Sequence, residues 1–245
     1  MNALYDTIGK GYANHRRPDP RIAKQILDAL GDAGSVVNIG AGAGSYEPTD
    51  RAVVAIEPSL TMIMQRPPGS APVVRARAEA LPFADKSFDA ACAFLTTQHW
   101  SDIDAGLREM ARVARHRCVF LDHTPGTPDF WLLRDYFPEL ALKPLLPLAR
   151  AQAVFGTLRI VPIPIAHDCS DGFLCAYWRR PEAYLDPQRR AAISCFSKTL
   201  DTENAMDRLQ RDIADGTWLR RNRDLLRETE LDLGYRLVIA TPKQD

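Results

Sequence analysis

Val36-Val37-Asn38-Ile39 empties directly into Gly40-Ala41-Gly42-Ala43-Gly44-Ser45, a largely apolar run followed by three glycines spaced by single alanines. Such a run suits a buried strand. The spacing predicts that this strand turns tightly into a helix, with the backbone bare along the turn because side chains are nearly absent. The N–H groups opening that helix are expected to face whatever fills the crevice. Thirteen residues beyond Gly44, a second apolar run, Ala52-Val53-Val54-Ala55-Ile56, ends in Glu57. A carboxylate at the tip of a second strand is placed to accept two hydrogen bonds from vicinal ribose hydroxyls. Loop and acid together point to a nucleoside-containing cofactor.

Short apolar runs continue to alternate with helical patterns, the signature of a parallel sheet covered by helices. Strands are expected near 35–40, 52–57, 72–76, 88–95 and 117–122, with helices over about 20–30 and 102–114. The second helix carries Leu107, Met110, Ala111 and Ala114 at helical spacing and has Asp102 as its cap. Prolines and aromatics crowd residues 124–148. Arg159 to Ile165 reads as a further strand whose two prolines place it at an edge. A mostly helical stretch over 181–230 precedes a last strand from Gly234 to Ala240. At 245 residues the chain is long enough for a substantial core. The expected layout is one domain over 1–245: a lid over 1–19, a cofactor-binding core over 20–123, a cap with one core strand over 124–230, and the last strand over 231–245.

Charge and cysteine content exclude several classes. Lys plus Arg and Asp plus Glu number 31 each, which removes the electrostatic case for a nucleic-acid partner. No stretch of about 18 apolar residues occurs, so no membrane-spanning helix is expected. Met1 to Arg17 lacks the basic-then-apolar pattern of a signal peptide. The five cysteines include no Cys-x-x-Cys pair, so neither a disulfide framework nor a metal site is expected, and a cytoplasmic location fits.

Three further stretches sharpen the cofactor. They are Ala78-Glu79-Ala80-Leu81-Pro82-Phe83-Ala84-Asp85-Lys86-Ser87-Phe88-Asp89, Leu107-Arg108-Glu109-Met110-Ala111-Arg112-Val113, and Tyr5-Asp6-Thr7-Ile8-Gly9 with Tyr12. With the glycine loop and Glu57 they resemble the class I S-adenosylmethionine (SAM) dependent methyltransferases, specifically the small-molecule, ubiquinone/menaquinone-type (type 11) branch. The resemblance implies an α/β, Rossmann-like sheet of seven mostly parallel strands with an antiparallel last strand, and a helical cap inserted before it.

It also implies site roles. The backbone around Gly40, Ala41 and Gly42 would lie beside the methionine part of SAM, and Glu57 would bind both ribose hydroxyls. Pro58 and Ser59 would flank the adenine, and Ala78 and Glu79 would reach its edge. Leu95, Thr96 and Thr97 would present carbonyls to the ammonium group, while Tyr12 and Arg16 or Arg17 would close over the cofactor and pair with its carboxylate. Two positions depart from the family pattern. Asn38 stands where an acid is common, keeping hydrogen bonding without charge, and Arg77 stands where many relatives have Asp.

Methyl transfer from a sulfonium is an in-line displacement, so the protein mainly aligns the acceptor and removes a proton where one must leave. His99 follows the fourth strand, at the sheet edge where ligands bind in open α/β folds, and is the candidate base. Asp122 with His123 and His167 with Asp168 have similar placement. Trp100, Trp131, Tyr177 and Trp178 are the expected acceptor-side aromatics, suited to a small planar or apolar metabolite. The expected assembly is a monomer or homodimer. Two rival readings are a non-catalytic SAM-binding protein and a dinucleotide-dependent oxidoreductase, whose glycine fingerprint overlaps this loop.

Overall fold

A computed structural model describes residues 4–9, 11–123, 130–140, 146–198 and 201–243. Parts of the proline- and aromatic-rich stretch, 124–129 and 141–145, lie outside them. Among the described residues the central element is a seven-stranded sheet. Its strands are β1 (Ser35–Ile39), β2 (Ala52–Ile56), β3 (Val73–Val74), β4 (Phe88–Phe94), β5 (Ala114–His123), β6 (Leu158–Pro162) and β9 (Tyr235–Ala240), arranged β3-β2-β1-β4-β5-β9-β6. A separate two-stranded piece joins β7 (Ile165–Ala166) to β8 (Glu230–Leu231). Within the main sheet only β9 runs antiparallel to its neighbours, β5 and β6.

The order reverses between β1 and β4. The chain builds outward through β2 and β3, then returns to pair Val36 with Ala90 and Asn38 with Cys92. A crevice opens beyond the carboxyl ends of strands at such a reversal. β6 lies at the sheet edge, as its prolines required, and the chain leaves the sheet at Pro162.

Alternation along the strands divides the apolar core between two faces. Val36, Val53, Cys92, Val119 and Leu121 face one side. There they meet Ile22, Ile26 and Leu30 of the helix Pro20–Leu30, here α3, after α1 (Leu4–Ile8) and α2 (Tyr12–His15). Asp19 caps α3 by accepting from the Arg21 N–H, Pro20 fills its first position, and Gly31 ends it at φ 59°. Val37, Ile39, Ile56, Ala91 and Phe120 face the other side. After α4 (Leu60–Ile63), α5 (Ile103–Val113) covers that face with Leu107, Met110 and Val113. Asp102 caps α5 through the Asp104 and Ala105 N–H groups, both at 3.0 Å.

The helix expected between β1 and β2 is absent, and residues 40–51 are turns. Ser45-Tyr46-Glu47-Pro48-Thr49-Asp50 has no apolar helical period, and other partners hold it. The Tyr46 hydroxyl accepts from the Asp19 N–H, and Glu47 pairs at 2.6 Å with Arg66, both nearly buried. The stretch 181–230, expected to be mostly helical, is made of short helical pieces. Its α-helices are α8 (Pro187–Ala191), α9 (Thr202–Ala214) and α10 (Thr217–Asn222), with 3-10 turns before α8, between α8 and α9 and after α10, and they follow α6 (Trp131–Tyr136) and α7 (Leu148–Phe155).

The cap builds its own aromatic core. The Trp131 indole N–H donates to the Trp178 carbonyl at 2.7 Å, and Trp178 donates to the Ile165 carbonyl at 2.9 Å. Trp131 meets Tyr184 and Trp218 edge to face at 5.7 and 5.2 Å. Trp131→Ala is therefore expected to cost about 3–5 kcal/mol of stability, read as a lowered midpoint in urea denaturation. Unchanged stability would return Trp131 to a ligand-facing role.

Candidate functional site

The carboxyl ends of β1, β2 and β4 enclose a cavity of about 240 Å³. Its floor is the glycine turn. The Gly40 and Ala41 N–H groups donate to the Ile56 carbonyl at 2.8 and 2.9 Å, which pins the turn against the tip of β2. Gly40 sits at φ 71°, and a side-chain carbon there would lie 2.1 Å from the Thr96 hydroxyl oxygen. Glycine is thus required at this point by close approach as well as by backbone angle.

Glu57 is the charged centre of the wall. It is 6% exposed, and its two oxygens accept from the Gly42 and Ser59 N–H groups, each at 2.8 Å. Burial raises its pKa, against the pull of those two hydrogen bonds. A carboxylate oxygen has room for a further hydrogen bond, so the cavity side can still receive a hydroxyl. Asn38 accepts from the Cys92 thiol, while its amide Nδ2 is buried without a partner. That orphan belongs to a residue on the cavity wall, where a ligand acceptor would satisfy it.

Most of the expected residues meet here. Tyr12, Arg16, Asn38, Gly40, Ala41 and Gly42 line the cavity, as do Glu57, Pro58, Ala78, Glu79, Leu95 and Thr96, with His99 and Trp100. Ser59 and Thr97 do not. Ser59 is instead the cap of α4, accepting from the Met62 N–H and donating to Asp6 at 2.6 Å, which ties α1 to the segment after β2. Thr97 donates to Asp122 at 2.6 Å. Trp131, Tyr177 and Trp178 lie in the cap's interior, away from this cavity.

Two residues have other partners than expected. Arg16 forms a buried pair with Asp171 at 2.7 Å and also donates to the Tyr12 hydroxyl, so its charge is already matched. Glu79 accepts from the Ser101 hydroxyl at 2.8 Å and the Asp102 N–H at 3.2 Å, binding the start of α5 to the segment after β3. Burial works against its ionisation, but these hydrogen bonds hold its pKa below the ordinary value.

His99 lies on the 3-10 turn Thr97–His99. Its Nε2 is 3.1 Å from the Tyr5 hydroxyl and 2.9 Å from the Gln98 amide nitrogen. An amide nitrogen only donates, so Nε2 is an acceptor here. The Tyr5 ring also meets His99 edge to face at 5.0 Å. Tyr5 thus joins lid and site, with Tyr46, Met62 and Phe94 as further wall residues that sequence reasoning missed. Their types carry no motif; only the fold brings them together. His167 and Asp168 are elsewhere, the latter exposed and paired with Arg21.

The chain is similar to several known proteins. A methyltransferase domain family matches residues 37–121, from β1 to the end of β5. A structure from Anabaena variabilis, assigned to methyl transfer in antibiotic biosynthesis, superposes with TM-score 0.82 at 31% identity, covering 92% of this chain and 98% of that one. The demethylmenaquinone methyltransferase of Mycolicibacterium vanbaalenii is 35% identical over 128 residues, 52% of this chain and 53% of its own. The chain spans about half the length of the curated relatives it matches. A phosphoethanolamine N-methyltransferase from Haemonchus contortus, holding S-adenosylhomocysteine, shares the fold at TM-score 0.51 and 15% identity, over 91% of this chain and 52% of that one.

Asp122 adds a pH dependence at the edge of the site. It is fully buried, and burial pushes its pKa up to about 7 against the hydrogen bonds from Thr97 and the His123 N–H. In the unfolded chain an aspartate titrates near about 3.9. The folded state therefore holds a proton that the unfolded chain has lost, and stability falls as pH rises from about 4 to 7. Asp122→Asn, which keeps an acceptor for Thr97, is expected to be about 1–4 kcal/mol more stable than wild type above neutral pH and equal to it below about pH 4. Urea denaturation at both ends of that window reads the difference; a parallel pH slope for the two proteins would contradict it.

Proposed function

The chain belongs to the class I SAM-dependent methyltransferases of the type 11 branch, and from that premise we propose that it methylates an oxygen, nitrogen or carbon atom of a small planar or apolar metabolite. The observation that carries this reading is Glu57. Its buried carboxylate, fixed by two backbone N–H groups, borders the cavity floored by the glycine turn. The residues present fit SAM: a cradle that a side chain would fill, a buried acid for paired hydroxyls, and an orphan amide donor on Asn38.

In this reading Glu57 accepts from both ribose hydroxyls while the Gly40–Gly42 backbone lies along the methionine portion. Pro58 and Ala78 flank the adenine, and Trp100, expected on the acceptor side, lines this same cavity. Carbonyls at Leu95 and Thr96 receive the ammonium group, and the Asn38 amide donates to the carboxylate. Bound SAM would supply an electrophilic methyl group, passed to the acceptor with S-adenosylhomocysteine as the leaving group. The chain's own contribution is alignment and exclusion of water by the lid, anchored through Ser59–Asp6 and Arg16–Asp171. His99 is the candidate base for acceptors that lose a proton. To act so, its Nε2 must exchange Tyr5 and Gln98 for the acceptor.

The layout proposed is a lid over 1–19, a core over 20–123, a cap over 124–230 and a closing strand over 231–245. Support for a reducing, cytoplasmic setting comes from five free thiols. Among the described residues no helix is long and apolar enough to cross a membrane. Glu57→Ala is expected to weaken SAM binding by about 1.5–3 kcal/mol, read by calorimetry; unchanged affinity would remove the ribose assignment. A methyl-transfer screen over phenol, amine, carboxylate and carbanion acceptors tests turnover. Silence throughout, with SAM binding intact, would favour a binding module.

A further inference from the structure

Resting on the methyl-transfer reading, we propose that a second cavity beside the first is the acceptor site and that it takes an uncharged, single-ring planar acceptor. This cavity holds about 100 Å³ and shares Tyr5, Arg16 and Leu95 with the larger one. An occupant therefore presents one end at the wall between the two chambers, where a methyl group could pass.

Size limits the occupant. An engineered apolar cavity of about 150 Å³ holds one benzene, so about 100 Å³ leaves room for a single ring at most. Surface chemistry then selects the ring. Leu95, Phe173, Leu174 and Ile193 supply apolar wall, and Phe173 and Tyr235 pack with ring centroids 4.5 Å apart. Ser194 and Cys195 supply polar atoms among them.

Charge is what the cavity refuses. Among the described residues Arg16 is the one fixed charge on its wall, and Asp171 already neutralises it at 2.7 Å with both side chains buried. His123, also on the wall, is kept from charging by burial, which lowers its pKa. A carboxylate or an ammonium entering here would lose its hydration and gain no counter-charge, a cost of several kcal/mol. A neutral ring loses little.

The shared wall is built to hold its shape. The Tyr5 hydroxyl lies 3.1 Å from His99, so α1 and the turn after β4 meet there, and Ser194 lines the same cavity. Burial lifts the Tyr5 phenol well above its ordinary range, which keeps its proton in place for hydrogen bonding. Leu95 adopts φ 52°, a left-handed backbone conformation that is strained in a non-glycine residue. That strain sits where the two chambers touch.

The test uses the intact chain saturated with S-adenosylhomocysteine, with phenol, benzoate and benzylammonium as probes in ligand-observed NMR. Phenol is expected to bind at least about tenfold more tightly than either ion. Ile193→Trp, which fills the cavity, is expected to weaken phenol binding at least about tenfold while S-adenosylhomocysteine affinity holds. Phe173→Ala, which enlarges it, is expected to bind 2-naphthol at least about tenfold more tightly than wild type does. Equal or tighter binding of the ions, no phenol binding, or indifference to both variants would overturn the proposal. Failure of S-adenosylhomocysteine to bind the wild-type chain, read before any probe is added, would overturn the methyl-transfer reading itself.

Discussion

The two hydrogen bonds that hold the Glu57 carboxylate are the constraint on which the site depends. One comes from Gly42, in the turn after β1, and the other from Ser59, at the cap of α4. The same acid thus fixes the glycine turn, the tip of β2 and the start of the next helix. Ser59 then reaches Asp6 and carries the arrangement into the lid. Burying a carboxylate is costly unless it is hydrogen-bonded, so the backbone donors that make Glu57 tolerable also give it one orientation. A ligand meets a group that needs no reorganisation.

The absent helix between β1 and β2 follows from the same economy of partners. Buried backbone groups must be satisfied somewhere. Here turns and long-range side chains take over, notably Glu47 with Arg66 and with the Ala71 N–H. The cavity floor therefore rests on close backbone packing at Gly40 and on Glu57, with no helix N-terminus contributing.

Legibility in the sequence followed the range of the interaction. Val36–Ile39, apolar but for Asn38, and Ala52–Ile56 were readable as strands because burial on both faces leaves a nearly continuous apolar run. Gly40 and Glu57 were readable because turn and strand tip are local to them. The helix after the glycines was expected from a motif, whereas Pro48 and the missing apolar period held the contrary signal. Arg16 and Asp171 stand 155 residues apart, and no spacing links them. The same holds for Tyr5 and His99, 94 residues apart, and hence for the wall between the chambers. Aromatic content in the cap was visible, yet Trp131 and Trp178 could not be told from ligand-facing residues, since stacking into a core and stacking on a ligand use the same side chains.

The α1 segment and the glycine turn border the first cavity, and α1 with residues 173–195 borders its neighbour; we propose these for a nucleoside-bearing methyl donor and an uncharged ring. The measurement that bears most directly on this picture is calorimetric titration of the intact chain with S-adenosylhomocysteine and, separately, with NAD. Saturable binding of S-adenosylhomocysteine at one site per chain, with no heat of binding from NAD, is the expected result. Binding of NAD without binding of S-adenosylhomocysteine would contradict it.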